Sequence, residues 1–308
     1  MKILLAVDDS DFSLAAVEHA ATLPWPKGSV VNIVSVAEVP VPTAPGAILI
    51  DGGSYKSWER ILEDHCVENI TRAISRFAEI AGAQTEVTSR TLKGDPKAAI
   101  LDYAEHWGAD LIIFGTHGYK ALERLWLGSV SRALILHAKC SVDVVRRRKA
   151  KDTDSGAFKV LLAVDGSQFS DRAVDEIADR PWPRACDIHV ISVVDLRPVA
   201  SPEAWSLPES TYAWSEQSMR EQAENAVSQA VSRIQKSNAK REVPLVLTSE
   251  VLAGRVEETI IDTARSRNTD LIVVGSQGYS GLTRFLLGSV SQAVAYHAPC
   301  SVHIVRTQ

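Results

Sequence analysis

The chain has 308 residues, which at roughly 100 to 200 residues per domain suggests two domains. With 45% hydrophobic and 23% charged residues, 17 Gly and 13 Pro, it is neither disordered, collagenous nor low in complexity, and a formal net charge of −5 offers no basic field for nucleic acid. No apolar run approaches the roughly 20 residues that span a bilayer, and the N-terminus turns acidic at Asp8, Asp9 and Asp11 without a signal-peptide core, so a cytoplasmic protein with no membrane partner is expected.

In chain order, Ile3 to Val7 is a nearly continuous apolar run, as expected of a parallel strand covered on both faces. Asp8 closes it, and Ser10 stands at a helix N-cap ahead of Leu14 and Val17 on one face. Trp25, clamped between Pro24 and Pro26, marks the turn leaving that helix and reads as packing. Val30 to Val36 reads as a second strand and Val39 to Gly46 as a Pro-rich loop. A long helix follows, with Trp58, Ile61, Leu62, Ile70, Ala73, Ile74 and Phe77 at helical spacing; that stripe is expected to be core. A third strand over Glu86 to Leu92 ends at Gly94, and a helix runs from Pro96 to Trp107. A fourth strand, Asp110 to Phe114, stops at Gly115; a helix starts near Ser129, and Val142 to Val145 forms a fifth strand.

The same succession of signals then recurs. Asp8 answers to Asp165, and Pro24-Trp25-Pro26 to Pro181-Trp182-Pro183, at an offset of 157, whereas Gly94 with Gly254, Gly115 with Gly275, Gly128 with Gly288 and His137 with His297 differ by 160. About three extra residues therefore enter the second copy between Val193 and Gly254, in a loop. Strands are expected at Val160 to Val164, Ile188 to Val194, Leu245 to Leu252, Asp270 to Val274 and Val302 to Val305. Helices are expected after Ser167, across Ala223 to Ile234, over Val256 to Ser266 and from Ser289, with a loop at Arg197 to Pro208. The reading is α/β: two tandem domains, 1–147 and 157–308, joined by a polar linker at 148–156. Each is a doubly wound parallel five-stranded sheet with right-handed crossovers and helices on both faces.

The chemistry lies just after the fourth strand. The first copy has Gly115-Thr116-His117-Gly118, nine residues, then Gly128-Ser129; the second has Gly275-Ser276-Gln277-Gly278, nine residues, then Gly288-Ser289. Glycines at a strand end let backbone N–H groups approach an anion with no side chain between. Gly128 and Gly288 lie where a helix begins, so free N–H groups and the helix dipole favour phosphate oxygens there. Neither G-x-x-x-x-G-K-[ST] nor a G-x-G-x-x-G after the first strand is present. The spacing G-x-x-G-x9-G-[ST], with Ala6-Val7-Asp8-Asp9-Ser10 and Ala163-Val164-Asp165-Gly166-Ser167 ending the first strands, resembles the universal stress protein family in its tandem, ATP-binding form. The likeness runs from Met1 to Val145 and from Phe158 to Arg306.

That resemblance implies Rossmann-like domains of strand order 3-2-1-4-5, with ATP as the ligand, alone or with Mg²⁺. It implies that Asp8 and Asp165 meet the ribose and adenine side, and that Val36 and Val193 meet the adenine edge through their backbones. Gly115, Gly118, Gly128 and Ser129, with Gly275, Gly278, Gly288 and Ser289, would cradle the phosphates. In such an order strands one and four flank the topological switch point, where ligands bind. Asp8 and Asp165 have a second reading, as acids that complement a helix N-terminus. The copies also differ: Gly94-Asp95-Pro96 faces Gly254-Arg255-Val256, and Asp9 faces Gly166, adding negative charge near the first site. The resemblance further implies that the fifth strands pair with each other inside the chain, and it allows a homodimer of whole chains.

The leading reading is a nucleotide-binding protein of stress response or signalling. One rival is a slow ATPase or nucleotide-dependent transferase, but the placed cation, metal-binding acid and positioned water of phosphoryl transfer have no matched pair in the repeats beyond Asp8 and Asp165. Another rival is an adaptor with empty sites, which leaves two intact glycine loops unexplained. His117, opposite Gln277, reads as a phosphate donor or acid–base group, or as a solvent-facing loop residue. His137 and His297 suit helix C-termini without a function. Cys66, Cys140, Cys186 and Cys300 lack C-x-x-C spacing and read as reduced structural thiols, and Arg146 to Lys149 reads as a solvated tether.

Overall fold

A computed structural model describes residues 1–38, 52–82, 85–116, 127–147, 157–182, 186–195, 209–239, 241, 244–278 and 287–307, with side chains in the two longest helices from Ser57 and Glu216 onward. The chain divides into two compact units, Met1–Arg147 and Arg148–Gln308. The loops expected at Val39 to Gly46 and Arg197 to Pro208, and the linker 148–156, lie outside the described residues.

The first unit contains β1 (Lys2–Ala6), α1 (Asp11–Thr22), β2 (Val30–Ala37), α2 (Gly52–Ala81), β3 (Glu86–Lys93), α3 (Pro96–Trp107), β4 (Leu111–Gly115), α4 (Ser129–His137) and β5 (Ser141–Val145). Its strands run parallel in the order β3-β2-β1-β4-β5. The second unit repeats this with β6 (Phe158–Ala163), α5 (Gln168–Asp179), β7 (Cys186–Val194), α6 (Glu209–Asn238), β8 (Val246–Ala253), α7 (Val256–Ser266), β9 (Leu271–Gly275), α8 (Ser289–His297) and β10 (Ser301–Val305), in the order β8-β7-β6-β9-β10. In each unit the first two helices cover one face of the sheet and the last two the other. The expected doubly wound architecture is therefore present twice. Among the described residues no helix is long and apolar enough to cross a membrane.

The central strands are apolar on both faces because helices close both: Ile3, Leu4 and Leu5, and Leu111, Ile112 and Ile113, are fully buried. Ser10 caps α1 by accepting from the Ser13 N–H, and Ala16, Val17 and Ala20 form its buried stripe. Asp95 caps α3 by accepting from the Lys97 and Ala98 N–H groups, and Gly108 ends that helix at a left-handed φ of 69°. The second copy makes neither choice: Arg255 gives α7 no side-chain cap, and Asn268 holds the left-handed position at φ 53°.

The proline-flanked tryptophans pack as expected and add a hydrogen bond. Trp25 Nε1 donates to the Ala20 carbonyl at 2.8 Å and Trp182 Nε1 to the Ile177 carbonyl at 3.1 Å, satisfying the last turns of α1 and α5. The stripe on α2 needs a correction. Ile70, Ala73 and Phe77 are buried, but Trp58 and Ile61 are 63% and 61% exposed. A helix of 30 residues is about 45 Å long, whereas the eight-residue β2 beneath it spans about 26 Å, so the first turns of α2 overhang the sheet. The three extra residues can also be placed: α2 and α6 start and end 157 positions apart, β3 and β8 160 apart, so the insertion lies in the connection from α6 to β8. All four cysteines are free and buried. Burial, with Asp187 alongside, pushes the Cys186 thiol up to about 12, against the opposing pull of Arg241 and Arg180, and burial likewise raises Cys66.

Candidate functional site

In each unit the chain leaves β1 (or β6) toward one side of the sheet and β4 (or β9) toward the other, so the C-terminal ends of these neighbouring strands flank a crevice. Val7 makes the last sheet bond there, its N–H donating to the Val34 carbonyl at 2.8 Å, and Asp8 is the first residue beyond it. One carboxylate oxygen of Asp8 accepts from the Ser10 N–H at 3.0 Å and the Ser10 hydroxyl at 2.6 Å, while the Asp8 N–H donates to Ser13 Oγ at 2.7 Å. Asp165 repeats the first of these, with Oδ1 accepting from the Ser167 N–H at 2.9 Å, while the Ser167 hydroxyl turns to the Gln277 carbonyl and Ser170 Oγ accepts from the Gly166 N–H at 3.1 Å. The hydrogen bonds show the second reading, an acid at a helix N-terminus. Oδ1 shapes the first turn of the helix, and Oδ2 has no protein donor among the described residues.

The backbone beside each acid follows from strand alternation. The Val34 carbonyl points at β1, so Val36, two residues on, presents its amide to the same side, where β1 has already ended. Ala37 faces the other way, its carbonyl accepting from Gly94 N–H at 3.1 Å. In the second unit Ile191 and Val194 take these parts, leaving the Val193 amide toward the crevice beside Asp165.

The glycines divide by task. A Cβ at Gly115 would lie 2.6 Å from the carbonyl carbon and oxygen of Phe12, and one at Gly275 would lie 2.7 Å from the Phe169 carbonyl carbon. Glycine is needed at both because α1 and α5 start directly over the strand ends. Gly128 and Gly288 are N-caps in extended backbone with no side-chain cap. Their own N–H groups are not free, contrary to the sequence expectation: each donates back across the loop, to Thr116 O at 2.9 Å and to Ser276 O at 2.8 Å. The first intrahelical bonds are Arg132 N–H to Gly128 O and Gln292 N–H to Gly288 O, so the N–H groups of 129–131 and 289–291 have no helical acceptor. The Ser129 and Ser289 hydroxyls stand exposed beside them. Gly118 and His117 lie outside the described residues. Gly278 is described, and a Cβ there would fall 2.7 Å from Asp165 Oδ2, so the loop runs directly against the acid.

Several contributors escaped the motif reading. Ser131 and Ser291 donate to the Gly115 and Gly275 carbonyls at 2.8 and 2.7 Å, pinning each last helix to its strand end. Gln277, opposite His117 in the repeat, is buried at 7% exposure, its carbonyl accepting from Ser167 Oγ at 3.5 Å. The added charge of Asp9 has a neighbour in the first unit: His65 Nε2, from α2, lies 3.6 Å from Asp9 Oδ2. The recurrence of these serines at the repeat offset was the available signal; nothing in the spacing announced His65.

Comparison with known proteins places this geometry. The sequence profile of the Universal stress protein family matches the chain twice, over residues 1–146 and 157–306. A universal stress protein of Mycobacterium tuberculosis is 27% identical over 320 residues, covering 99% of this chain and 96% of that protein. A universal stress protein of Methanocaldococcus jannaschii is 33% identical over 148 residues, covering 48% of this chain and 83% of that one. Among solved structures, a universal stress protein from Archaeoglobus fulgidus shares the fold with a TM-score of 0.60 at 19% identity, covering 99% of this chain and 98% of that chain. Two profile matches that together span nearly the whole sequence, on two copies of one doubly wound unit, establish that this chain belongs to the universal stress protein family.

Proposed function

We propose that each unit binds ATP in the crevice at the C-terminal ends of its central strands, and that the chain acts in the cytoplasm as a nucleotide-responsive stress or signalling protein. Asp8 and Asp165 would take the ribose and adenine side with Oδ2, the Val36 and Val193 backbones the adenine edge, and the uncapped N–H groups of α4 and α8 the phosphates. Gly118 and Gly278 complete the loops. The observation that carries the reading is Gly278: a side chain there would fall on Asp165 Oδ2, so glycine at this position keeps that oxygen uncovered by any loop side chain. Turnover is expected to be slow or absent, since the proposed phosphate contacts are backbone N–H groups rather than acid–base side chains.

Isothermal titration with ATP, with and without Mg²⁺, tests this. Gly278→Val removes close approach at one site and should weaken it about a hundredfold, the loss of two charge-assisted hydrogen bonds, while leaving the first unit's binding intact. Unchanged affinity in that variant refutes the cradle. Turnover on the order of 1 per second would instead assign the protein to the ATPases.

A further inference from the structure

At the opposite end of the second unit's sheet, where β6 and β7 begin, lies a cavity of about 260 Å³ lined by Lys159, Asp187, His189 and the turn 266–269 with Arg267. The first unit supplies a built-in control, because its corresponding positions are plugged. Trp107 stands where the second unit has Arg267, and Tyr103 where it has Thr263. The two rings stack at 6.3 Å, Lys2 Nζ donates to the Trp107 carbonyl at 2.8 Å and lies 5.6 Å from the ring centre, and Asn32 Nδ2 donates to the Tyr103 hydroxyl at 3.1 Å. Aromatic side chains thus engage Lys2 and the Asn32 amide nitrogen at that end.

The second unit keeps the lysine, as Lys159, and changes its neighbours. Asp187 stands in place of Val30, His189 in place of Asn32 and Arg267 in place of Trp107, which adds charged side chains of both signs. His189 is held rigidly, Nδ1 2.8 Å from Thr248 Oγ1 and Nε2 2.7 Å from Glu250 Oε1, so it forms wall and fixes Glu250. Lys159 Nζ spends one proton on the Arg267 carbonyl at 3.3 Å, and Arg267 Nη2 reaches Thr248 Oγ1 at only 3.4 Å. Asp187 lines the same cavity and adds a carboxylate beside these two cations.

We propose that this cavity binds a small zwitterion of the amino-acid class, its ammonium donating to Asp187 and its carboxylate received by Lys159 and Arg267. A volume just below the roughly 300 Å³ at which drug-sized pockets begin suits a small ligand. The site is separate from the proposed nucleotide crevice, which lies at the other ends of the same strands.

The experiment titrates the full-length protein with glycine, β-alanine and γ-aminobutyrate, and with acetate and methylammonium as the isolated halves, following the ring ¹⁵N resonances of His189. At least one zwitterion should shift His189 saturably and bind more tightly than either half. Arg267→Trp, which copies the first unit's plug, should abolish the shift, and Asp187→Asn, which leaves the shape intact, should weaken it about tenfold or more. No saturable shift with any of the three, equal binding of acetate alone, or an affinity unchanged by Asp187→Asn overturns the proposal. ATP affinity should be unmoved by either variant, so failure here is distinct from failure of the nucleotide reading.

Discussion

The two units join their first helix to their fifth strand through the same buried place with the chemistry reversed. In the first unit His19 of α1 lies 3.5 Å from Asp143, the middle residue of β5; in the second, Glu176 of α5 lies 2.9 Å from His303, the middle residue of β10. Acid and imidazole have exchanged elements, and both strand residues are fully buried. The fold therefore requires a complementary partner across this contact and is indifferent to which element carries the acid. The second unit also adds Arg180, whose Nη2 lies 2.9 Å from Glu176 Oε1.

That addition makes the reversal testable. Removing one member of a buried pair typically costs about 3 to 5 kcal/mol because the charge left behind is poorly solvated. His19→Ala takes the helix-side contact from Asp143, at 0% exposure, and should lose at most that amount in urea unfolding followed by circular dichroism, since Asp143 keeps its other contacts. His303→Ala leaves Glu176 at 25% exposure with Arg180 still beside it, so its loss should be clearly smaller. Equal losses would show that the two contacts are energetically interchangeable and that Arg180 contributes nothing.

Next in size are the glycines under the first helices. Val at 115 or 275 would place Cβ within 2.6 or 2.7 Å of carbonyl groups of Phe12 or Phe169, main-chain atoms that cannot rotate away. Overpacking of this kind costs about 1 to 3 kcal/mol, and here both units should suffer alike because the geometry is shared. A loss confined to one unit would mean that its helix can slide off the strand end.

The sequence alone carried the fold because its signals are local and doubled. Asp95-Pro96 and Gly108 bound α3, Gly128 and Gly288 start helices, and the offsets of 157 and 160 bracket the insertion. The crevice was legible for a related reason: glycine under a helix and serine at a cap are local requirements, repeated at fixed spacing. What stayed hidden depends on contacts between distant segments. Exposure of Trp58 follows from the lengths of α2 and β2 together, the commitment of the Gly128 and Gly288 N–H groups from loop closure, and the neighbouring of His65 and Asp9 from helix packing. The plugged and open ends of the two sheets could be seen only after residues such as Val30 and Asp187 were set in the same register.

A subtler contrast sits at the start of the second strand, where Cys186 stands in place of Ser29. Burial holds the thiol protonated to about pH 12, while an unfolded thiol ionises near 8.5. The folded state therefore keeps a proton that the unfolded state releases. The stabilisation is complete below about pH 8.5 and is lost progressively as pH rises toward about 12. Cys186→Ser, which copies the first unit, should flatten the alkaline part of the stability curve; an unchanged slope between pH 8.5 and 10.5 or so would exclude Cys186 as its source.

The smallest expected effect concerns the two tryptophans that close the first helices. Trp25→Phe and Trp182→Phe keep an aromatic ring but delete the donor to the Ala20 and Ile177 carbonyls. Trp182 is 6% exposed, stacked on Phe158 at 5.9 Å and lying under Arg180 at 5.4 Å, so water has poor access to the carbonyl it serves. Its replacement should cost about 1 to 2 kcal/mol, since a buried acceptor is left without its partner. Trp25 is only partly buried, and water can take over at Ala20, so its replacement should cost about 0.5 kcal/mol. Paired urea midpoints measured by far-ultraviolet circular dichroism separate the two. A larger loss for Trp25 would reverse the ordering and show that burial does not set the worth of this hydrogen bond.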